Sequence, residues 1–222
     1  MKSTFTFYVV GCGGTGSLFA RDLPQLLMHT KHRMVLIDGD VVEEKNVKRQ
    51  SFQLQDVGVN KAIALARKIN SFYDIDCEAI DQYILDGMLL KRIEDDPNDP
   101  VIIGCVDNNS TRKILERIYR GIPGRAVYID SANSEYSGNV FVSYKYNGRV
   151  LGPLRGTTYR FEEDTGPAEK SCQAQAAEGN VQYFVTNARM AVCILEHCFN
   201  LISDEHFVVG VTNVDRLEEV HR

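Results

Sequence analysis

An α/β fold is expected: a doubly wound, Rossmann-like, mostly parallel sheet with an antiparallel hairpin extension towards the C-terminus. Three observations predict it. Short apolar runs alternate with amphipathic stretches from the first residues to Ser131, the pattern of βαβ units whose helices cover both faces of a parallel sheet. The run VIIGCV, from Val101, is apolar without alternation, as a strand buried on both faces should be. The glycine-rich run Gly11-Cys12-Gly13-Gly14-Thr15-Gly16 lies between the first apolar run and the first amphipathic one, where a strand would turn into a helix.

Taken in order, Phe5 to Val10 reads as a strand, and the glycine run leads into a helix through Leu18, Phe19 and Leu23. Pro24 should kink or break that helix. Met34 to Ile37 is a second strand. VNKAIALARKIN is a helix with Ala62, Leu65, Ala66 and Ile69 on one face. Glu78 to Tyr83 is expected as a third strand and Met88 to Ile93 as a short helix, ahead of the turn-rich DDPNDP. After VIIGCV come a helix from Thr111 to Tyr119, its terminator GIPG and the buried strand AVYID. Beyond Ser131 the pattern changes. Asn139 to Tyr146 alternates and ends in Asn147-Gly148, a hairpin turn. Residues 152–171 are polar, hold Gly152, Pro153, Gly156, Gly166 and Pro167, and read as a long loop of functional or disordered type. A helix is expected from Ala174 to Phe199, and HFVVGV as a late strand. No internal repeat is present.

The chain has 222 residues, enough for one large domain and short for two. We expect a single domain over 1–222, with a nucleotide-binding part at 1–135 and a hairpin, crossover loop and C-terminal helix and strand at 136–222. The formal charge of -5 and the lack of a basic-aromatic patch argue against nucleic acid as the main partner. No apolar stretch approaches the roughly 20 residues of a membrane helix. The opening apolar run feeds straight into the glycine turn without a small-residue cleavage site, so it reads as a strand rather than a signal peptide. No membrane association and a cytoplasmic location are expected. The six cysteines, Cys12, Cys77, Cys105, Cys172, Cys193 and Cys198, include no Cys-x-x-Cys pair, the wrong arrangement for a disulfide framework or a structural zinc. Cys12, Cys193 and Cys198 read as core thiols, and His29 and His32 as residues of a solvated turn.

The chemistry concentrates where the strands end. Glycines at 11, 13, 14 and 16 permit a tight turn and let backbone N–H groups approach a phosphate at a helix N-terminus. Asp38 ends the next strand, about twenty residues further on, where an acidic side chain meets a ribose. To this point a nicotinamide-dependent oxidoreductase fits equally well. The following blocks separate the two. DGDVVEEKNVKRQ places Asp40, Asn46 and Arg49 beyond the second strand, GVNKA supplies Lys61 at a helix start, and VIIGCVDNNSTR puts Asp107 and Asn108 at the carboxyl end of a buried strand. Strand ends on that edge converge on the ligand crevice. An arginine fork, a mobile lysine and a carboxylate suit a triphosphate with magnesium better than a nicotinamide.

These blocks, GCGGTGS, DGDVVEEKNVKRQSF, GVNKA and CVDNNSTR, with DSANSEYSGNV a looser match, resemble the ThiF/MoeB family, the bacterial relatives of ubiquitin-activating enzymes. SCQAQAAEGNVQYFVTNARMA is similar to members found with mobile-element operons, including those of PRTRC systems. The resemblance implies ATP and magnesium, and adenylation of the C-terminal carboxylate of a ubiquitin-like or sulfur-carrier protein, or of a peptide, ending in glycine. It implies that Gly11, Gly13, Gly14 and Gly16 cradle the nucleotide and that Asp38 holds the ribose. Asp40 belongs to the same nucleotide site. Asn46, Arg49 and Lys61 would contact phosphates or the attacking carboxylate. Asp107 would bind magnesium, and Asn108 would support the site. Cys172 stands where relatives carry a sulfur-chemistry cysteine, so it could take up the acyl group as a thioester. A homodimer is expected, as in relatives.

Two departures stand out. Many relatives have an N-terminal helix whose arginine reaches the partner's ATP site; here the sequence starts at the first strand, and Arg21 is the candidate stand-in. The four zinc cysteines of many relatives are absent, so no zinc is expected. Besides the oxidoreductase, the other readings are a non-catalytic scaffold and adenylation of a carboxylate on a tRNA base.

Overall fold

The computed structural model describes residues 3–85, 87–159, 161, 184–203 and 207–215. Strand β1 (Phe5–Val10) is buried along its whole length. It sits at the centre of the sheet, flanked in parallel by β2 (Arg33–Ile37) and β4 (Asp99–Gly104). Alternate residues of these strands face opposite ways: Phe7 and Val9 pack into one core, Tyr8 and Val10 into the other. The strand order is β3-β2-β1-β4-β5-β6-β7, where β3 is Cys77–Ile80, β5 is Ala126–Asn133, β6 is Gly138–Tyr146 and β7 is Arg149–Leu151. The first five pair in parallel. The antiparallel pairing begins at β5–β6, and β8 (Gly210–Val214) also pairs antiparallel with β6. The expected parallel sheet with an antiparallel extension is the observed architecture.

Helices cover both faces. α1 (Gly14–Asp22), α3 (Lys61–Phe72) and α7 (Phe184–Ser203) pack on one side. α4 (Met88–Glu94) and α5 (Asn109–Gly121) pack on the other. Pro24 does break the first helix: α1 ends at Asp22 and a one-turn α2 (Pro24–Leu27) restarts with proline at its first position, where the missing N–H has no helical partner to lose. Asn60 and Asn108 cap α3 and α5, each accepting a backbone N–H three residues on. The hairpin turn falls at Asn147 (φ 48°) and Gly148 (φ 74°), both left-handed as a tight two-residue turn requires.

Several expectations need correction. The third strand stops at Ile80 rather than Tyr83, because the chain leaves the sheet to lay Tyr83 over Gly39. The late strand starts at Gly210, four positions after His206. Phe207 instead packs edge-on against Tyr144, 6.2 Å between ring centres. His32 is half-buried: its Nδ1 accepts the Phe5 N–H at 3.0 Å and its ring stacks on Phe5. Burial lowers its pKa. The long helix is described from Phe184; residues 174–183, and the part of the polar loop from 162 on, lie outside the described residues.

What the described part of that loop does is clear. α6 (Arg155–Thr158) is one turn long, and Arg155 drives its guanidinium into a buried cluster at the carboxyl end of β5. Its Nε donates to the fully buried Asp130, its other nitrogens reach Asn139 Oδ1 at 2.6 Å and the Asp130 and Asn139 carbonyls, and it lies 4.5 Å from the Phe141 ring. Arg112 of α5 approaches Asp130 from the other side at 3.4 Å, and Glu116 accepts the Gly156 N–H at 2.7 Å. One carboxylate thus ties α5, β5, β6 and α6 together. Removing one member of such a buried group leaves uncompensated charge, so Asp130→Ala is expected to cost ~3–5 kcal/mol. Urea unfolding reads this directly, and a loss below ~1 kcal/mol would contradict the assigned role.

Candidate functional site

The glycine turn is shaped by close backbone approach. Gly11 has φ +91°, and a Cβ there would sit 2.7 Å from the Cys105 carbonyl oxygen. A Cβ on Gly16 would run into the Gly11 carbonyl, and one on Gly14 into the Asn187 side chain. These three glycines are therefore packing requirements. Gly13 is different: a Cβ on it meets nothing within 4 Å. It caps α1, which has no side-chain cap and no acidic residue in its first turn. The first N–H groups of a helix have no partner within it. An anion, such as a phosphate, fits this cradle.

Asp38 follows β2 and is used first by the backbone. Its Oδ2 accepts the Cys12 N–H at 2.6 Å and its Oδ1 accepts the Asp40 N–H at 2.8 Å. It clamps the glycine turn to the loop after β2. Burial raises its pKa, Asp40 adds to the rise, and Lys61 opposes it. The Cys12 thiol, fully buried beside Asp38, is pushed well above its ordinary value by burial first and that carboxylate second, which fits the expected core role.

Asp40 and Lys61 form a second unit. Lys61 is buried at the first position of α3, and its Nζ lies 2.8 Å from Asp40 Oδ2. The Tyr83 hydroxyl donates to Asp40 Oδ1. Burial alone would raise the Asp40 carboxyl, but the Lys61 charge and the two hydrogen bonds outweigh it and hold the pKa below its usual value. Asn60 fixes the geometry by donating to the carbonyls of Asp38 and Asp40. Tyr83 and Asn60 were not singled out from sequence. Gly39, between two aspartates, was the available signal, since its missing Cβ makes room for the Tyr83 ring.

Asn46 is buried and its Oδ1 accepts the Glu43 N–H at 2.8 Å, so its side chain holds the loop rather than standing free. Arg49 follows on that loop, half-exposed, with no ion pair among the described residues. The loop is anchored by the Ser51 N–H on Ser17 Oγ at 3.0 Å. Asp107 is exposed just beyond β4, its Oδ1 3.5 Å from Asn108 Nδ2. Asn108 is buried and its Oδ1 is spent on capping α5. All of these residues except Cys172 follow strands on the carboxyl edge of the parallel sheet. Cys172 lies outside the described residues. Arg21 pairs with its neighbour Asp22 in the last turn of α1, at the opposite end of the helix from its own glycine turn.

The donor set fits a nucleotide with magnesium. Asp107 is an accessible hard oxygen ligand, and Arg49 a cation without an ion pair among the described residues. Among the described residues no group of three or more His, Cys, Asp or Glu could hold a metal by itself. A magnesium here would therefore share Asp107 with phosphate oxygens, its usual manner of binding. Also among the described residues, no helix is long and apolar enough to cross a membrane.

The family model described as ThiF family matches residues 3–219. The crystal structure of selenomethionine PaaA superposes with TM-score 0.65 at 17% identity, covering 98% of this chain and 65% of that one. The crystal structure of E. coli MccB with AMPCPP and selenomethionine MccA gives TM-score 0.63 at 14% identity, covering 97% and 64%. This chain thus spans just under two thirds of each of those proteins. No curated protein matches it at a significant level.

Because only Gly13 faces open space, two glycine substitutions should separate folding from binding. Gly13→Ala is expected to leave stability within about 0.5 kcal/mol while weakening nucleotide binding, and Gly16→Ala to disrupt folding outright. Thermal unfolding with and without ATP–magnesium distinguishes them; equal effects of the two on stability would refute this division.

Proposed function

The chain belongs to the ThiF family, and from that premise we propose that it uses ATP and magnesium to adenylate the C-terminal carboxylate of a small protein or peptide. The observation that carries the reading is the meeting, on one sheet edge, of a glycine-bounded helix N-terminus without a side-chain cap, the Asp40–Lys61 pair, Arg49, which has no ion pair among the described residues, and an exposed Asp107. In this reading the α1 turn holds phosphate oxygens, and Asp38, already fixed by two backbone donors, offers its remaining lone pairs to the ribose. Asn46 and Asn108 hold the loops and Asp40 orients Lys61. Arg49 and Lys61 then face the charge that develops as the carboxylate attacks.

The reaction needs little else. An ionised carboxylate oxygen attacks the α-phosphorus, the bond to the bridging oxygen breaks, and pyrophosphate leaves with the electron pair. The nucleophile is already charged at neutral pH, so no general base is required. Fixed positive charge aimed at the phosphoryl oxygens supplies the stabilisation. Magnesium, held by Asp107, would add Lewis-acid neutralisation of the leaving pyrophosphate. Dependence on ATP fits a cytoplasmic setting.

The preferred substrate is a ubiquitin-like or sulfur-carrier protein ending in glycine. A peptide substrate is the second reading, favoured by the likeness to MccB, whose structure holds MccA beside an ATP analogue. We further propose that residues 1–222 act as one adenylation unit, that it works as a homodimer, and that Cys172 accepts the acyl group as a thioester, its sulfur displacing AMP.

ATP–magnesium at a hundredfold its dissociation constant should stabilise the fold by about 2.7 kcal/mol. NAD should not, and Asp107→Ala should blunt the effect. A midpoint raised by NAD but not by ATP would overturn the reading. For Cys172, the Ala variant should retain pyrophosphate exchange with a glycine-ended substrate and lose any thiol-sensitive conjugate. A conjugate that persists in Cys172→Ala removes the thioester step and leaves adenylation standing.

A further inference from the structure

An exposed carboxylate takes its position from the backbone that carries it, and at Asp107 that backbone is held on both sides. After it, Asn108 is fixed by its own cap, its Oδ1 accepting the Thr111 N–H at 2.8 Å. Before it, the Val106 carbonyl accepts from Arg112. Arg112 is the fourth residue of α5 and only 7% exposed. Helical side chains lean towards the N-terminus of their helix, so a long one in the first turn lies back over the strand end. Its guanidinium makes three contacts there. Nη2 donates to the Val106 carbonyl, Nη1 reaches Asn109 Oδ1 at 3.3 Å, and Nε lies 3.4 Å from Asp130 Oδ1.

Asp130 is the fixed end of this chain of contacts. It is fully buried and stands beside Gly104 in the register of β4 and β5. Its other carboxylate oxygen accepts from Arg155. A line of contacts therefore runs from α6 through Arg155, Asp130 and Arg112 to the carbonyl next to Asp107. We propose that Arg112 is a positioning residue for the metal site, acting through the Val106 carbonyl on the Asp107 carboxylate, with Asp130 as its anchor. The inference deepens the reading of Asp107 as the magnesium ligand and rests on it.

The division of the guanidinium separates this role from that of a plain buried ion pair. A simple counter-ion would turn two nitrogens to the carboxylate. Arg112 gives two to the segment that carries Asp107. Magnesium makes such bracing consequential, because it demands near-ideal octahedral geometry and tolerates a displaced ligand poorly. Groups that orient a metal ligand from behind change metal affinity by about 10–100-fold when altered. Glu116 supplies the contrast: it belongs to the same buried cluster, but its contact is the Gly156 N–H at 2.7 Å, away from Val106.

The test reads the magnesium concentration at which ATP reaches half of its full thermal stabilisation of the fold, with circular dichroism to check folding. Arg112→Lys keeps a cation beside Asp130 but replaces the fork with a single point of attachment. It should raise the magnesium midpoint ~10-fold, while ATP without magnesium stabilises it as it does the wild type. Asp107→Asn should raise the midpoint at least as far. Adding Arg112→Lys to Asp107→Asn should raise it no further, since an effect routed through Asp107 is lost with it. Glu116→Gln should leave the midpoint within about twofold of the wild type, well short of the shift expected of a group behind the ligand. Arg155→Lys, which disturbs the anchor with Arg112 intact, should shift the midpoint in the same direction as Arg112→Lys, and it decides the matter if Arg112→Lys does not fold. An unchanged midpoint in the folded variant, or full additivity with Asp107→Asn, would overturn the positioning role and leave Asp107 as the ligand. A midpoint that Asp107→Asn does not move would overturn the ligand assignment and the positioning with it. A wild type that ATP–magnesium does not stabilise would overturn the adenylation reading itself.

Discussion

Where the turn after β1 passes the end of β4, Gly11 and the Cys105 carbonyl come so close that no side chain could stand between them. The rest of the carboxyl edge is arranged around that approach. With Gly11 left-handed and Gly16 packed on its carbonyl, α1 rises directly from the turn after the central strand, its start without a side-chain cap. Cys105, held by its N–H on Val10 at 2.8 Å, carries the chain to Asp107 alongside the same turn. Asp38 then accepts the Cys12 N–H and locks the turn to the neighbouring strand. Backbone proximity, more than any side-chain contact, brings the candidate groups to one edge.

The charged groups divide by how firmly they are held. Asp38, Asp40, Lys61, Asn60 and Tyr83 form a braced set in which each side chain has an internal partner. Arg49 and Asp107 stand at the solvent side with no ion pair among the described residues. A hydrogen-bonded floor suits a reaction in which charge develops on bound phosphate, because fixed dipoles need no reorganisation. Lys61 illustrates the balance: its buried side chain lies against one oxygen of Asp40, whose other oxygen accepts the Tyr83 hydroxyl.

The sheet was legible because its signals are local. Unbroken apolar runs such as VIIGCV, the proline that ends the first helical stretch and the Asn147-Gly148 pair each encode a backbone preference that tertiary packing did not override. The strand ends were less legible, since Tyr83 leaves the sheet for a glycine far away in sequence and Phe207 for Tyr144. Residues of the glycine run and of the DGD and DNN stretches do gather on one edge, and several of them also hold the backbone there. Asn46 and Asn108 turn out to serve loops and caps, and Asp38 serves the backbone. The buried Asp130 cluster was missed altogether. Its members are spread from Arg112 to Arg155 with no common spacing, so nothing short of the fold brings them together.

The outer edge of β6 is covered in two instalments. Its last three residues, Tyr144–Tyr146, pair with β7 immediately after the hairpin. Its first five, Gly138–Val142, wait for β8, which lies roughly seventy residues further along the chain. At ribosomal rates of roughly 5–20 residues per second, that stretch of unpaired backbone stays open for several seconds of synthesis. A hydrophobic strand in that state is a template for other chains. The short hairpin covers three of the nine residues of β6 during this interval, so the order in which the edge closes is itself a safeguard for the nascent polypeptide.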